Sequence, residues 1–236
     1  MTTYLILLLT SFSLLTQCNA PKNTTKNMSS EVTTENKSKK DTYPVEEYTK
    51  DNNLEQWSTA ILAGGCFWCT EAAFERIDGV IDVISGYAGG EEEYPDYYGV
   101  GRGDTGHTEA IYIYYDPEIV SYETLLNVLW VAHDPTTLNR QGPDRGTQYR
   151  SAIYYKTESE KELIDKSIKE LNMSNKYSNP VVTEVAPYTE FWVAEEYHQN
   201  FYELNPNQGY VRNVSRPKVK KVLKAFPELI KKKYKS

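Results

Sequence analysis

Two cysteines three residues apart, Cys66 and Cys69, lie in the run Gly64-Gly65-Cys66-Phe67-Trp68-Cys69-Thr70, and thiols at that spacing can carry redox chemistry. The attacking species of a thiol is its thiolate. Two glycines permit a tight turn out of a strand, which predicts Cys66 at the start of a helix. Unpaired N–H groups and the helix dipole favour an anion there, so a lowered Cys66 pKa is expected. Cys69 falls one helical turn further on, and such a pair can cycle between dithiol and disulfide. Three other readings of the motif stand beside this one. A structural zinc site needs two more ligands, and His107, His133 and His198 show no paired spacing. A merely structural disulfide fits an oxidising compartment. A thioredoxin-like oxidoreductase also opens a helix with C-x-x-C, but has Trp before the first cysteine, where Gly65 stands here. Phe67 and Trp68, directly after the first thiol, look like the walls of a small apolar pocket.

The elements around the motif can be read from composition and periodicity. Residues 58–63 predict a buried strand leading into the glycines, and 66–76 a helix with Ala72, Ala73 and Phe74 on its apolar side. Residues 79–86 read as a second strand, followed at 87–108 by a long polar, glycine-rich loop of the kind that is functional or mobile. A β-rich stretch at 109–115 ends at Asp116-Pro117. A helix at 122–131 is capped by Ser121, and a loop at 133–148 leads to a strand at 150–155. Thr157 and Glu160 form a capping box opening a helix to about 172. A strand at 180–186, a helix at 194–204 and a basic helix at 217–224 complete the chain. The irregular alternation predicts an α+β sandwich, and the length suits a single catalytic domain with appendages.

The apolar run Tyr4 to Leu15 is too short to span a bilayer but matches the core of a secretory signal. It ends at Leu15-Thr16-Gln17-Cys18, which resembles a bacterial lipoprotein signal, although no basic residue precedes it and Gln17 replaces a small residue. A plain cleaved signal is the competing reading. On the lipoprotein reading, Cys18 is lipidated and the protein is extracytoplasmic, anchored in the periplasm or cell envelope. Residues 19–55 are expected to be a disordered tether, because 19–42 carry no aromatic and cannot offset the entropy of ordering. The catalytic domain is then expected at 56–236.

The net charge of −7 argues against general nucleic-acid binding. From Arg212 onward there are ten basic residues and one acid, Glu228. That tail reads either as a solvated helix face or as a surface drawn to anionic membrane. Of 30 aromatic residues 20 are tyrosines, which suit a pocket that is apolar and also donates hydrogen bonds, as well as an aromatic core.

G-C-F-W at Cys66 resembles the signature of peptide methionine sulfoxide reductase A. Similar family patterns recur in order across about 59–210: S-G-Y-A-G-G at Ser85, T-G-H-T-E ending at Glu109, Y-D-P at Tyr115, H-D-P at His133, R-Q-G at Arg140, G-T-Q-Y-R-S at Gly146 and A-E-E-Y-H-Q at Ala194. The resemblance implies a two-layer α+β sandwich around a mixed sheet, with no metal and no organic cofactor. It implies that Cys66 attacks the sulfur of the S-epimer of methionine sulfoxide, protein-bound or free, and becomes a sulfenic acid. By the same likeness Glu109 supplies the proton that the departing oxygen needs, provided burial raises its pKa. Phe67 and Trp68 hold the S-methyl group, and Tyr97, Asp144 and Tyr149 orient the oxygen. Read alone, Glu109 would be a surface residue, Asp144 a turn residue and Tyr149 a strand aromatic. Pro143 departs from the family's usual Asn.

Many relatives resolve the sulfenic acid with a cysteine in a C-terminal tail. No cysteine follows Cys69 here, so the likeness to the G-C-F-W-C branch makes Cys69 the resolving thiol. A Cys66–Cys69 disulfide, reduced by thioredoxin or a thioredoxin-like donor, is the expected cycle, in a monomeric enzyme. A disulfide across one helical turn needs local unwinding, so the helix start is expected to be mobile.

Overall fold

Alternation in the strands sets the architecture. Along β2 (Ser58–Gly64), Ala60 and Leu62 face one side of a sheet, and Ile61 and Ala63 face the other. Along β4 (Thr108–Tyr115), Ile111 and Ile113 share the first face, and Ala110, Tyr112 and Tyr114 the second. Both faces are therefore buried, and residues two apart sort to one of them. The computed structural model describes residues 41–235. The signal segment, Cys18 and the expected tether before residue 41 lie outside the described residues.

In chain order the sheet strands are β1 (Tyr43–Pro44), β2, β3 (Val80–Ala88), β4, β7 (Ser151–Tyr155), β8 (Glu184–Pro187) and β9 (Phe191–Val193); a separate two-residue hairpin is β5 (Arg140–Gln141) with β6 (Asp144–Arg145). The seven strands order as β1-β9-β3-β4-β2-β7-β8, antiparallel except for the parallel pair β7–β8, so the sheet is mixed. Helices α2 (Phe67–Phe74), α4 (Tyr122–Ala132), α5 (Glu158–Met173) and α7 (Arg216–Ala225) cover the first face through Phe74, Leu125, Leu129, Ile164, Val219 and Val222. The expected α+β sandwich is the fold observed.

The caps read from sequence are in place. Ser121 Oγ accepts from the Thr124 N–H, and Thr157 Oγ1 accepts from the Glu160 N–H. The Glu160 carboxylate reaches back to the Lys156 N–H, one residue before the cap.

Four expectations are corrected. First, residues 41–55 do not belong to a disordered tether. Tyr43 and Pro44 pair with β9, a helix α1 (Val45–Asp51) follows, and Val45 and Leu54 are buried on the second face of the sheet. Those apolar side chains cover tyrosines and isoleucines that would otherwise face water. Second, 194–204 is not a continuous helix. It holds a 3₁₀ turn (Glu196–His198), Asn200 in the left-handed region at φ 55°, and a single helical turn α6 (Phe201–Leu204). Tertiary hydrogen bonds decide its path: the Gln199 side chain accepts from the Ser85 N–H and donates to the Ser85 carbonyl, satisfying the edge of β3. Third, the loop at 87–108 contains a short helix α3 (Tyr97–Arg102), capped by Asp96 through the Gly99 N–H. Fourth, the strand expected at 180–186 is shorter and later, as β8.

Candidate active site

Cys66 stands between β2 and α2, where the sheet's first face meets the helix layer. The turn requires Gly65, whose φ is +84° and whose missing Cβ would lie 2.5 Å from Gln141 Cβ. Gln141 in turn is held by two hydrogen bonds to the backbone of Asp134. Cys66 is the N-cap of α2 and is 5% exposed, and Cys69 is buried one turn on. Both thiols are free, and they hydrogen-bond each other.

Glu109 lies at the second position of β4, 2% exposed, with Oε2 accepting the Phe67 N–H at 3.0 Å. The first N–H of α2 is thus taken by a carboxyl oxygen. Burial, with the charges of Asp144 and Cys69 added, raises the Glu109 pKa to about 8, against the lowering pull of the Phe67 N–H and Lys218. At neutral pH it holds a proton. Burial likewise pushes the Cys66 thiol well up, helped by Cys69 and Glu109. The expected lowering of Cys66 by the helix N-terminus is therefore corrected: that terminus already serves Glu109, and desolvation outweighs it. Cys69 moves the other way, lowered by its hydrogen bond with Cys66 and by the Lys218 charge and Ser215 hydroxyl, which together outweigh its own desolvation.

A cavity of about 270 Å³ opens over Cys66, lined by Cys66, Phe67, Trp68, Tyr97, Glu109, Asp144, Tyr149, Gln208 and Tyr210. All the pocket residues expected from sequence line it. Tyr98, the neighbour that could be confused with Tyr97, points outward at 72% exposure. Each wall has its own support. The Glu195 carboxylate accepts the Tyr97 N–H at 2.9 Å and the Tyr87 hydroxyl at 2.8 Å, fixing the start of α3. Tyr149 ends a 3₁₀ turn that Gln148 ties to the Gly101 carbonyl of α3 at 2.7 Å. Asp144 projects from β6, where it accepts from the Tyr210 hydroxyl at 2.6 Å. The Trp68 ring stacks on Phe201 at 3.8 Å and donates through Nε1 to His198 Nδ1 at 3.1 Å. Burial lowers the His198 pKa to about 4, so the ring is neutral and its Nδ1 free to accept.

Burial and nearby negative groups raise the phenols of Tyr97, Tyr149 and Tyr210, so all three keep their protons; Tyr210 commits its O–H to Asp144. Cys66, Tyr210 and Asp144 adjoin in the cavity wall, where the Tyr210 hydroxyl bonds the Asp144 carboxylate. The geometry joins a nucleophilic sulfur, a proton-bearing carboxyl, an apolar wall and a ring of donors around one small space.

The other two histidines are committed elsewhere. His107 accepts from the Gly90 N–H and bonds the Glu92 carbonyl, and His133 bonds the Leu129 carbonyl and Ser151. Among the described residues no group of three or more His, Cys, Asp or Glu is placed to hold a metal ion.

Several contributors were not assigned from sequence. Glu195 and His198 fall in the A-E-E-Y-H-Q block, whose likeness was noted but whose contacts only the folded chain supplies. Tyr210, Gln208, Ser215 and Lys218 carried no signal, because they reach the site through the packing of the C-terminal segment on α2.

The profile of a family described as peptide methionine sulfoxide reductase matches residues 58–229. The chain is 51% identical over 172 residues to peptide methionine sulfoxide reductase MsrA 1 of Rhodopirellula baltica, covering 73% of this chain and 88% of that protein. It is 48% identical over 173 residues to the MsrA of Natronomonas pharaonis, covering 73% of this chain and 97% of that one. Among solved structures, reduced Mxr1 from Saccharomyces cerevisiae is similar with a TM-score of 0.59 at 36% identity, over 64% of this chain and 87% of that chain. Methionine sulfoxide reductase A of Corynebacterium diphtheriae is similar with a TM-score of 0.57 at 33% identity, over 64% of this chain and 76% of that chain.

Proposed function

The chain belongs to the peptide methionine sulfoxide reductase family, and from that premise we propose that it reduces the S-epimer of methionine sulfoxide, with Cys66 as nucleophile and Glu109 as acid. The observation that carries this reading is the buried, protonated Glu109 carboxyl beside Cys66 at one cavity. A sulfoxide oxygen leaves poorly as oxide and well once protonated. Phe67 and Trp68 receive the S-methyl group, while Tyr97, Tyr149 and Asp144 orient the oxygen.

The protons balance within the site. Glu109 gives its proton to the sulfoxide oxygen as Cys66 attacks the sulfoxide sulfur, and the protonated oxygen then passes to Cys66 sulfur as methionine departs. The thiol proton of Cys66 passes through Tyr210 to Asp144. Cys69 then attacks the sulfenic sulfur, the S–O bond breaks, and water leaves with the proton held on Asp144. The Cys69 proton restores Glu109. Two thiols have become a disulfide and one oxygen has become water, and a thioredoxin-like dithiol returns the pair to the reduced state.

The apolar run ending at Cys18 supports an extracytoplasmic, lipid-anchored location for the same enzyme. Globomycin-sensitive processing and detergent partition test it, and a soluble mature protein contradicts it. The activity itself is tested by stereospecific reduction of methionine sulfoxide with dithiothreitol, by wild type and Cys66→Ser. Loss of the S-epimer alone, abolished in the variant, is expected. Undiminished turnover by Cys66→Ser contradicts the assignment.

A further inference from the structure

Lys218 is a half-buried residue whose charged end has no partner. Its Nζ is sealed from solvent and makes no hydrogen bond. It sits on α7, one turn after Ser215, and α7 packs on α2, the helix that carries both thiols. Ser215 itself is buried and lies 3.2 Å from Cys69 Sγ, whose thiol donates to the hydroxyl. An ammonium buried without an anion is costly and is retained where an anion forms nearby. Among the groups Lys218 acts on are Cys69, Glu109 and His133. His133 is neutral and held by two neutral oxygens, so it offers no counter-charge. Glu109 carries its proton before the first step. Glu109 is an anion only until Cys69 returns its proton, and the charge then rests on Cys69, which of the three also lies against Ser215.

We infer that Lys218 and Ser215 form a thiolate-holding pair that prepares Cys69, rather than Cys66, to resolve the sulfenic acid. This rests on the sulfoxide reductase reading above. When Cys69 loses its proton to the Glu109 carboxylate left by the first step, the Ser215 hydroxyl turns to donate to sulfur and Lys218 balances the charge. The thiolate then forms the S–S bond to Cys66, and hydroxide leaves as water with the proton held on Asp144. Other charges bearing on Cys69 are Cys66 on its own helix, Glu109 on β4, Asp144 on β6 and the Tyr210 phenol before α7. Apart from Lys218 these groups are neutral or negative, so the positive contribution comes from α7. Lys218 is thus a positioning residue for the second step, acting through Cys69.

The test separates the two steps in the full chain. Reduced enzyme is mixed with one equivalent of an N-acylated methionine S-sulfoxide, and methionine formed and free thiols lost are followed from pH 5.5 to 9. In wild type, two thiols should be lost per methionine. In Lys218→Met, methionine should still form once per enzyme while disulfide formation slows about tenfold at neutral pH and recovers in alkali, because one pKa unit changes the thiolate fraction tenfold. Lys218→Arg should restore most of the rate, and Ser215→Ala should show a smaller shift in the same direction. An unchanged rate and pH midpoint for disulfide formation in Lys218→Met would overturn the inference. Wild type that loses no second thiol would instead sink the resolving role of Cys69, and the two failures are read from different samples.

Discussion

Glu109 holds the proton that the first step consumes, and the consequences are measurable in two ways. Replacing it by Gln leaves the cavity shape and removes the transferable proton, so single-turnover methionine formation should fall about two to four orders of magnitude. The wild-type rate of that step should decline as pH rises through about 8, where the carboxyl ionises. Stability responds as well. The Glu109 pKa is raised in the fold above the ordinary carboxylate value of 4.5, so its contribution is present below that value and is lost as pH rises through about 8. Urea midpoints of wild type should therefore fall more steeply between pH 5 and 9 than those of Glu109→Gln. Parallel pH profiles would contradict a buried, proton-bearing carboxyl. Cys69→Ser, by contrast, should yield one methionine per enzyme and then stall with a thioredoxin donor. Sustained donor-driven turnover by that variant would remove Cys69 from the cycle.

At the scale of elements, the site depends on turns that fix where α2 and α3 begin. Gly65→Ala places a Cβ against Gln141 in a left-handed backbone, and should cost about 1–3 kcal/mol while displacing Cys66. Gly101 lies in α3 with open space around its Cα, so Gly101→Ala should be neutral or stabilise by about 0.4–1 kcal/mol. Equal urea midpoints for the two variants would refute the claim that the Gly65 turn is specifically constrained. The elements legible in the sequence were those governed by local rules: the alternating strands β2 and β4, the helices opened by Ser121 and Thr157, and the glycine turn into α2. The segment at 194–204 was misread because its composition favours helix while its path follows long-range bonds from Gln199 to Ser85 and from Glu195 to Tyr87 and Tyr97. Strand β9 is only three residues long and joins the sheet by pressing on Gly86, whose Cβ would stand 2.2 Å from the Trp192 carbonyl. Neither relation has a signal in local sequence.

Across the whole molecule, the chemistry sits on one face of the sheet while the other is closed by residues that composition assigned to a tether. Val45 and Leu54 bury there with Tyr112 and Tyr114. Full burial of such side chains contributes about 1.5–3 kcal/mol each. A chain starting at Lys40 should therefore fold like the full protein, whereas one starting at Gln56 should lose several kcal/mol in urea. Equal midpoints would return that segment to the tether. The same long-range logic explains why the sequence named the cavity residues but not their supports: Cys66, Glu109 and Asp144 lie in recognisable blocks, whereas Tyr210, Ser215 and Lys218 act only once α7 docks on α2. The central claim is that the substrate's oxygen passes to Cys66 sulfur. It is met most directly by mixing Cys69→Ser with one equivalent of S-sulfoxide bearing isotopically labelled oxygen, then weighing the peptide that contains Cys66. The account predicts one methionine released per enzyme and the label retained on Cys66 as a sulfenic acid. Methionine released with no labelled oxygen on Cys66 would contradict it.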